Sequence, residues 1–99
     1  MDCFKNTDIA EIIIPKSVLK IGRYAFDGCR KLEKITFAEG SLLREIDDNA
    51  FNGCYNLKNI CLPQNLINIG KYCFCGCGFT SIDIPKSVER IERKAFFDC

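Results

Sequence analysis

The apolar residues of this chain return at nearly constant spacing, a pattern that indicates tandem repeats. One column of isoleucines recurs at steps of 23, 25 and 22 residues, at Ile12, Ile35, Ile60 and Ile82. A second isoleucine column and a phenylalanine column follow in each unit, at Ile21, Ile46, Ile69 and Ile91 and at Phe26, Phe51, Phe74 and Phe96. The pentapeptide Ile-Pro-Lys-Ser-Val stands at the same phase of the first and last units. Units of this length stack into a solenoid whose repeated apolar residues point inward.

The pattern within one unit predicts two short extended segments joined by turns. Alternation of apolar and polar residues, as in residues 57–62, is typical of a strand with one buried face. A proline ends this strand in three of the four units, because its nitrogen cannot donate to a strand ladder. A second extended segment is expected at residues 17–21 and their equivalents, followed by a tight turn or a single helical turn. The glycines that close these turns are expected at positive φ; they are Gly28, Gly53 and Gly76.

The columns divide the chain into one domain, residues 1–99, of four repeats at about 9–31, 32–56, 57–78 and 79–99. Either Leu42 or Leu43 can fill the inward position of the second repeat. The sequence starts and stops at nearly the same phase and shows no polar cap, which favours a segment of a longer array. If these residues are the whole protein, its apolar last coil, with Phe96 and Phe97, predicts self-association.

Composition and the absence of certain motifs argue against nucleic-acid binding, membrane insertion and catalysis. The chain has 14 Lys and Arg against 13 Asp and Glu, a net charge of +1, which offers no electrostatic case for nucleic acid. No apolar run approaches the roughly 18 residues of a membrane span, and residues 1–10 lack the apolar stretch of a secretory signal. With no histidine and no glycine-rich phosphate loop, an enzyme is not expected, and no cofactor is implied.

Eight cysteines raise the question of a disulfide framework or a metal site. Five of them occupy packing columns, where a free cysteine acts as a small buried hydrophobe; these are Cys29, Cys54, Cys77 and Cys99, which close the repeats, and Cys73, which replaces an alanine. Buried reduced thiols are therefore expected. In the run 73–77 only Cys75 is expected at the surface. A thiol-rich metal or redox site that joins Cys75 to Cys61 or Cys3 is the alternative.

The combined pattern Leu-x-x-Ile-x-Leu-Pro-x-x-Val-x-x-Ile-Gly-x-x-Ala-Phe-x-Gly-Cys resembles the BspA-like, or Treponema-type, leucine-rich repeat over residues 9–99. The sequence departs from it at Asp47 and Glu92, which replace glycine, and at residues 97–98. The resemblance implies a right-handed leucine-rich-repeat solenoid with short parallel strands. It also implies a protein-binding or adhesive module, located at the cell surface, whose partner is a host or matrix protein. It brings no catalytic residues.

The repeat further implies a binding face formed by the outward strand positions. These positions are Glu11, Ile13, Lys34, Thr36, Asn59, Cys61, Ser81 and Asp83. The strip contains no Trp, Tyr or Arg, the residues that most often anchor interfaces, so an ordinary solvent face and a purely structural spacer stay open beside it. Ile13 is its one large aliphatic member.

Overall fold

The computed structural model describes residues 10–79 and 82–97, which wind into stacked coils. Two parallel sheets form two walls of the stack. The strands are β1 (Glu11–Ile14), β2 (Lys20–Ile21), β3 (Lys34–Phe37), β4 (Glu45–Ile46), β5 (Asn59–Ile60), β6 (Asn68–Ile69) and β7 (Arg90–Ile91). The first sheet has the order β1-β3-β5 and the second β2-β4-β6-β7, so each of the first three coils gives one strand to each wall and the fourth gives β7 to the second. The predicted solenoid of short parallel strands is confirmed.

The strand registers match the isoleucine columns of the sequence. Ile12 pairs with Ile35 and Ile35 with Ile60 in the first sheet. In the second sheet a continuous line joins the central residues, which are Ile21, Ile46, Ile69 and Ile91. A fourth strand expected in the first sheet is not seen in residues 82–84, while Thr80 and Ser81 lie outside the described residues.

Turns form the third wall, hereafter the turn wall, which comprises residues 22–31, 47–56, 70–78 and 92–97. Backbone hydrogen bonds also link these turns from coil to coil. The amide of Phe26 donates to Ala50 O at 2.7 Å, Phe51 N to Cys73 O at 2.8 Å, and Phe74 N to Ala95 O at 2.8 Å. Because the turn amides and carbonyls pair with the neighbouring coil, the wall satisfies its backbone without a helix or a regular strand.

Each turn contains left-handed residues at fixed positions. Gly28, Gly53 and Gly76 have φ between 73° and 81°, as the sequence predicts. A second left-handed column was not predicted, and its members, with φ between 55° and 62°, are Tyr24, Asn49, Tyr72 and Lys94. Asparagine tolerates this conformation, whereas other non-glycine residues lose about 1–2 kcal/mol in it. The turns that start at Asp47 and Glu92 keep this geometry although both replace the glycine of the pattern.

The phenylalanine column forms an internal spine. Phe26 and Phe51 lie 5.0 Å apart between ring centroids, Phe51 and Phe74 5.3 Å, and Phe74 and Phe96 5.3 Å. Their planes differ by 9° or less, within the range of offset-stacked aromatic pairs. The centroid separation is close to the roughly 4.8 Å spacing of adjacent strands, because one ring comes from each coil.

The buried cysteines line this spine. Cys29, Cys54, Cys73 and Cys77 are buried thiols, as expected, while Cys3 and Cys99 lie outside the described residues. The thiol of Cys54 donates to Phe26 O at 3.1 Å, and that of Cys77 to Phe51 O at 3.2 Å. Burial is the main reason that the pKa of the Cys73 thiol lies well above its usual value. Burial thus disfavours the thiolate of Cys73.

Two adjacent leucines test the register of the second coil. Leu43 is completely buried, whereas 48% of Leu42 is exposed, so Leu43 fills the inward position that the sequence left open. We expect Leu43→Ala to lower the free energy of unfolding by about 2–5 kcal/mol, since it leaves a cavity in a packed core. Leu42→Ala is the matched control, with an expected loss below about 1 kcal/mol. Urea denaturation measures both, and equal losses would contradict this register.

Thiol accessibility provides a second prediction. Cys61 is exposed and Cys75 is partly buried, in contrast to the four buried thiols. In the native protein we expect Cys61→Ser to remove one equivalent of fast-reacting thiol in a titration with a disulfide reagent. Cys73→Ala should leave the fast phase unchanged and remove one equivalent only after denaturation. A fast phase that keeps its amplitude in Cys61→Ser would contradict the exposure of this side chain.

Candidate interaction groove on the first sheet

A groove of about 980 Å³ crosses the outer face of the first sheet. The parallel register of β3 and β5 sets Lys34 beside Asn59 and Ile35 beside Ile60. Successive side chains of a strand point to opposite faces, so Ile35 is buried while Lys34 and Thr36 are exposed. Thr36 lies on the groove side together with Cys61, which follows β5. The floor is therefore made by the outward positions of two neighbouring coils.

Two loops that follow the strands form the rim of the groove. They are residues 38–41 after β3 and residues 63–65 after β5. The side-chain amide of Asn65 donates to Ser41 O at 3.2 Å and joins the loops. Ser41 is itself buried, and its hydroxyl accepts a hydrogen bond from Leu43 N at 3.2 Å. Since the rim is bonded to both the next coil and the core, the groove is preformed.

The charges of the groove are unevenly placed. Lys34 and Lys58 contribute two ammonium groups from equivalent regions of successive coils, while Asp83 contributes a carboxylate from the following coil. All three side chains are exposed. Thr36 and Gln64 supply neutral hydrogen-bonding groups among the lining residues. A bound chain that crosses the coils would thus meet cationic and neutral groups on two coils and a carboxylate on the next.

The structure brings together four of the eight predicted face residues, namely Lys34, Thr36, Cys61 and Asp83. Glu11 and Ile13 pair in register with Lys34 and Thr36, but they lie on β1, outside the groove lining. Ile13 is 69% exposed. Asn59 lies in β5, its side chain is outside the described part, and Ser81 is outside the described residues altogether.

The sequence pattern predicted neither the rim of the groove nor the position of Lys58 in its lining. The strand pattern pointed only to outward positions, whereas Lys58, Gln64 and Asn65 come from segments before and after β5. One signal was present, because Pro63 marks the end of a strand and thus the start of a loop beside it. That this loop packs against residues 38–41 depends on stacking of the coils.

The groove lining contains two side chains of the His, Cys, Asp and Glu types, Cys61 and Asp83. The chain has no histidine, and within residues 10–79 and 82–97 no three His, Cys, Asp or Glu side chains are grouped so that they could hold a metal ion. Cys61 and Cys75 belong to different walls, since Cys61 lines the groove and Cys75 lies in the turn wall. Across the same described ranges, no helix has the length and apolar character needed to cross a bilayer.

Two solved structures are similar to this fold. A leucine-rich repeat protein from Bacteroides ovatus is 43% identical, with a TM-score of 0.80 over 89% of this chain and 22% of that protein. The pneumococcal vaccine antigen PcpA is 32% identical, with a TM-score of 0.79 over 90% of this chain and 22% of that protein. The chain thus spans about a fifth of the length of each. No curated protein matches it significantly.

The sequence profile of the BspA type leucine rich repeat region matches residues 1–99 in six copies. Within the described residues the second sheet has four paired strands, one from each of four coils. The profile covers the whole chain, and the Bacteroides and pneumococcal structures share its repeat architecture. The chain therefore belongs to the BspA type leucine-rich repeat family, whose repeats serve as protein-interaction modules.

Proposed function

We propose that residues 1–99 form one domain of four repeats that acts in adhesion, and that the groove on the first sheet binds an extended segment of a protein partner. The observation that supports this most is the convergence of Lys34, Thr36, Cys61 and Asp83 on one preformed groove. Side chains that a repeat pattern places on separate coils become a single surface only through the parallel register. Extended peptides commonly bind such surfaces with side chains in successive subsites.

The distribution of charge suggests how a segment would lie. Acidic residues of the partner would face Lys34 and Lys58, and a basic or neutral residue would face Asp83, since opposite charges in register favour one orientation. The rim bonded through Asn65 limits the ordering cost of binding. On this proposal the groove selects partners by charge order and shape, with no chemical step.

Adhesion is supported by the kind of protein to which the chain is similar. PcpA is described as a pneumococcal vaccine antigen, and an antigen used in a vaccine is typically accessible outside the cell. We infer a corresponding location at the cell surface for this chain, with a host or extracellular-matrix protein as partner. Glu11 and Ile13 extend the binding face beyond the groove along β1 on this proposal.

A charged and bulky substitution in the groove floor tests the proposal. Thr36→Arg should weaken binding to the responsive member of a panel of immobilised matrix proteins at least about tenfold, because the larger side chain fills the groove floor beside the rim. Biolayer interferometry gives the dissociation constants. Ser17→Arg is the matched control, since Ser17 is exposed, lies outside the groove, and receives the same side chain.

Both variants should melt within about 4 °C of the unchanged chain, because each changes an exposed side chain. Undiminished binding by Thr36→Arg, with a binding partner in hand, would rule out the groove as the contact. Failure of every matrix protein on the panel to bind the unchanged chain would argue against adhesion to matrix.

A further inference from the structure

On the turn wall the basic side chains are more exposed to solvent than the acidic ones, which is not so on the first-sheet wall. All six of its basic side chains are exposed; they are Arg23, Arg30, Lys31, Lys71, Arg93 and Lys94. All four of its acidic side chains are partly buried; they are Asp27, Asp47, Asp48 and Glu92. On the first-sheet wall (residues 10–16, 32–41, 57–65 and 82–87) four basic and four acidic side chains are all exposed. The charge of the turn wall is therefore positive toward solvent, although the whole chain is nearly neutral.

Most of these carboxylates are engaged by other groups. Asp47 accepts a hydrogen bond from Asp48 N at 2.8 Å and lies 3.4 Å from the Lys20 ammonium. Burial alone would raise the pKa of Asp47, but the Asp48 amide and Lys20 outweigh it and hold that pKa below its usual value. Asp48 accepts from Lys71 N at 2.8 Å, and Glu92 lies 3.6 Å from the Arg90 guanidinium. Their negative charge is directed to the backbone or to the second sheet.

Tyrosines stand among the exposed cations. All three tyrosines of the chain are on the turn wall, at Tyr24, Tyr55 and Tyr72. Tyr55 is 56% exposed, its ring lies beside Gly76, and the Arg30 guanidinium sits 5.5 Å from its ring centroid. Tyrosine and arginine are the residues most enriched among interface anchors. The cation–π contact holds two of them in place before any partner arrives.

Backbone conformation supplies an independent observation. Tyr24 and Tyr72 have φ of 62° and 55°, in a column where Asn49 shows that asparagine is accommodated. Bulky residues are unusual in this region of φ. Strained residues persist where the surrounding structure holds them, and they cluster at functional sites. Of the three residues in this column other than asparagine, two are tyrosines and the third is Lys94, and the recurrence of tyrosine points to a role for the ring itself.

From these observations we propose that the turn wall is a second protein-interaction surface, separate from the groove, that binds an acidic segment of a protein partner. Carboxylates of that segment pair with the exposed bases, and its apolar side chains cover the tyrosine rings. A protein segment fits better than a nucleic acid, because it can set neutral residues opposite Asp27 and Asp48, where phosphates at constant spacing would be repelled. This surface does not depend on the groove.

Fluorescence anisotropy with the 99-residue chain tests the surface. The probe is a short fluorescein-labelled peptide of the repeat Glu-Glu-Leu, with Gln-Gln-Leu and Lys-Lys-Leu peptides and an oligothymidylate as comparisons. We expect saturable binding of the acidic peptide that weakens with added salt, and binding of the other two peptides at least about tenfold weaker. No saturation with the acidic peptide, or equal or tighter binding of the oligothymidylate, would overturn the proposal.

Two charge-reversal variants locate the contact. Arg30→Glu with Lys71→Glu should weaken binding of the acidic peptide at least about tenfold. Lys16→Glu with Lys86→Glu is the matched control, because both side chains are exposed, lie outside the turn wall and the groove lining, and change the net charge by the same amount. Equal losses in both variants would mean that the peptide responds only to net charge, and undiminished binding by Arg30→Glu with Lys71→Glu would exclude the turn wall as the contact.

Substitution of the tyrosines distinguishes a role of the rings in peptide binding from a role in packing alone. Tyr24→Asn with Tyr72→Asn removes two rings and places asparagine where Asn49 already stands. We expect weaker peptide binding together with a melting temperature equal to or up to about 4 °C above that of the unchanged chain, since strain is relieved. Tyr55→Ala should also weaken binding. A clear fall in melting temperature, with binding retained by the folded fraction and by Tyr55→Ala, would show that the rings serve packing alone.

Discussion

The structure depends on the lateral register between coils. Backbone groups of one coil pair with the next along both sheets and along the turn wall, so the coils rest on one another at about the spacing of adjacent strands. Any side chain that points inward must then fit directly over its equivalent in the coil below. This is why two isoleucine columns and one phenylalanine column are uninterrupted in the sequence, and why Phe51 and Phe74 stack almost parallel.

The same constraint explains the special backbone positions. A Cβ at Gly70 would lie 2.6 Å from Asp48 N in the neighbouring coil, closer than side chains are found. In two other coils Asp47 and Glu92 stand at the position of this glycine. The close approach therefore occurs between this turn and its neighbour and is not a general feature of the repeat. Two members of the left-handed turn column are fixed in the same way, since the amides of Tyr24 and Asn49 donate to carbonyls of the adjacent coil.

Side chains that point outward do not have to match from coil to coil. At these positions the first-sheet wall and the turn wall differ in their chemistry. The first sheet presents a groove whose polar groups come from two strands and two loops, with both signs of charge exposed. The turn wall presents aromatic rings and exposed bases, while its acids turn toward amides and toward Lys20. A solenoid can therefore carry two chemically distinct surfaces on one core, because only the inward columns must repeat.

The sequence by itself determined the inward half of the molecule. The period, the isoleucine and phenylalanine columns, the packed cysteines and the positive φ of Gly53 all follow from residues that must match from coil to coil. Tertiary structure decided the rest. It buried Leu43 instead of Leu42, and it brought the loop at Asn65 against Ser41 to close a rim. It also left the bases of the turn wall exposed and partly buried its acids. Contacts such as Asn65 to Ser41 and Lys71 to Asp48 join residues more than 20 positions apart, and a repeat pattern does not specify them.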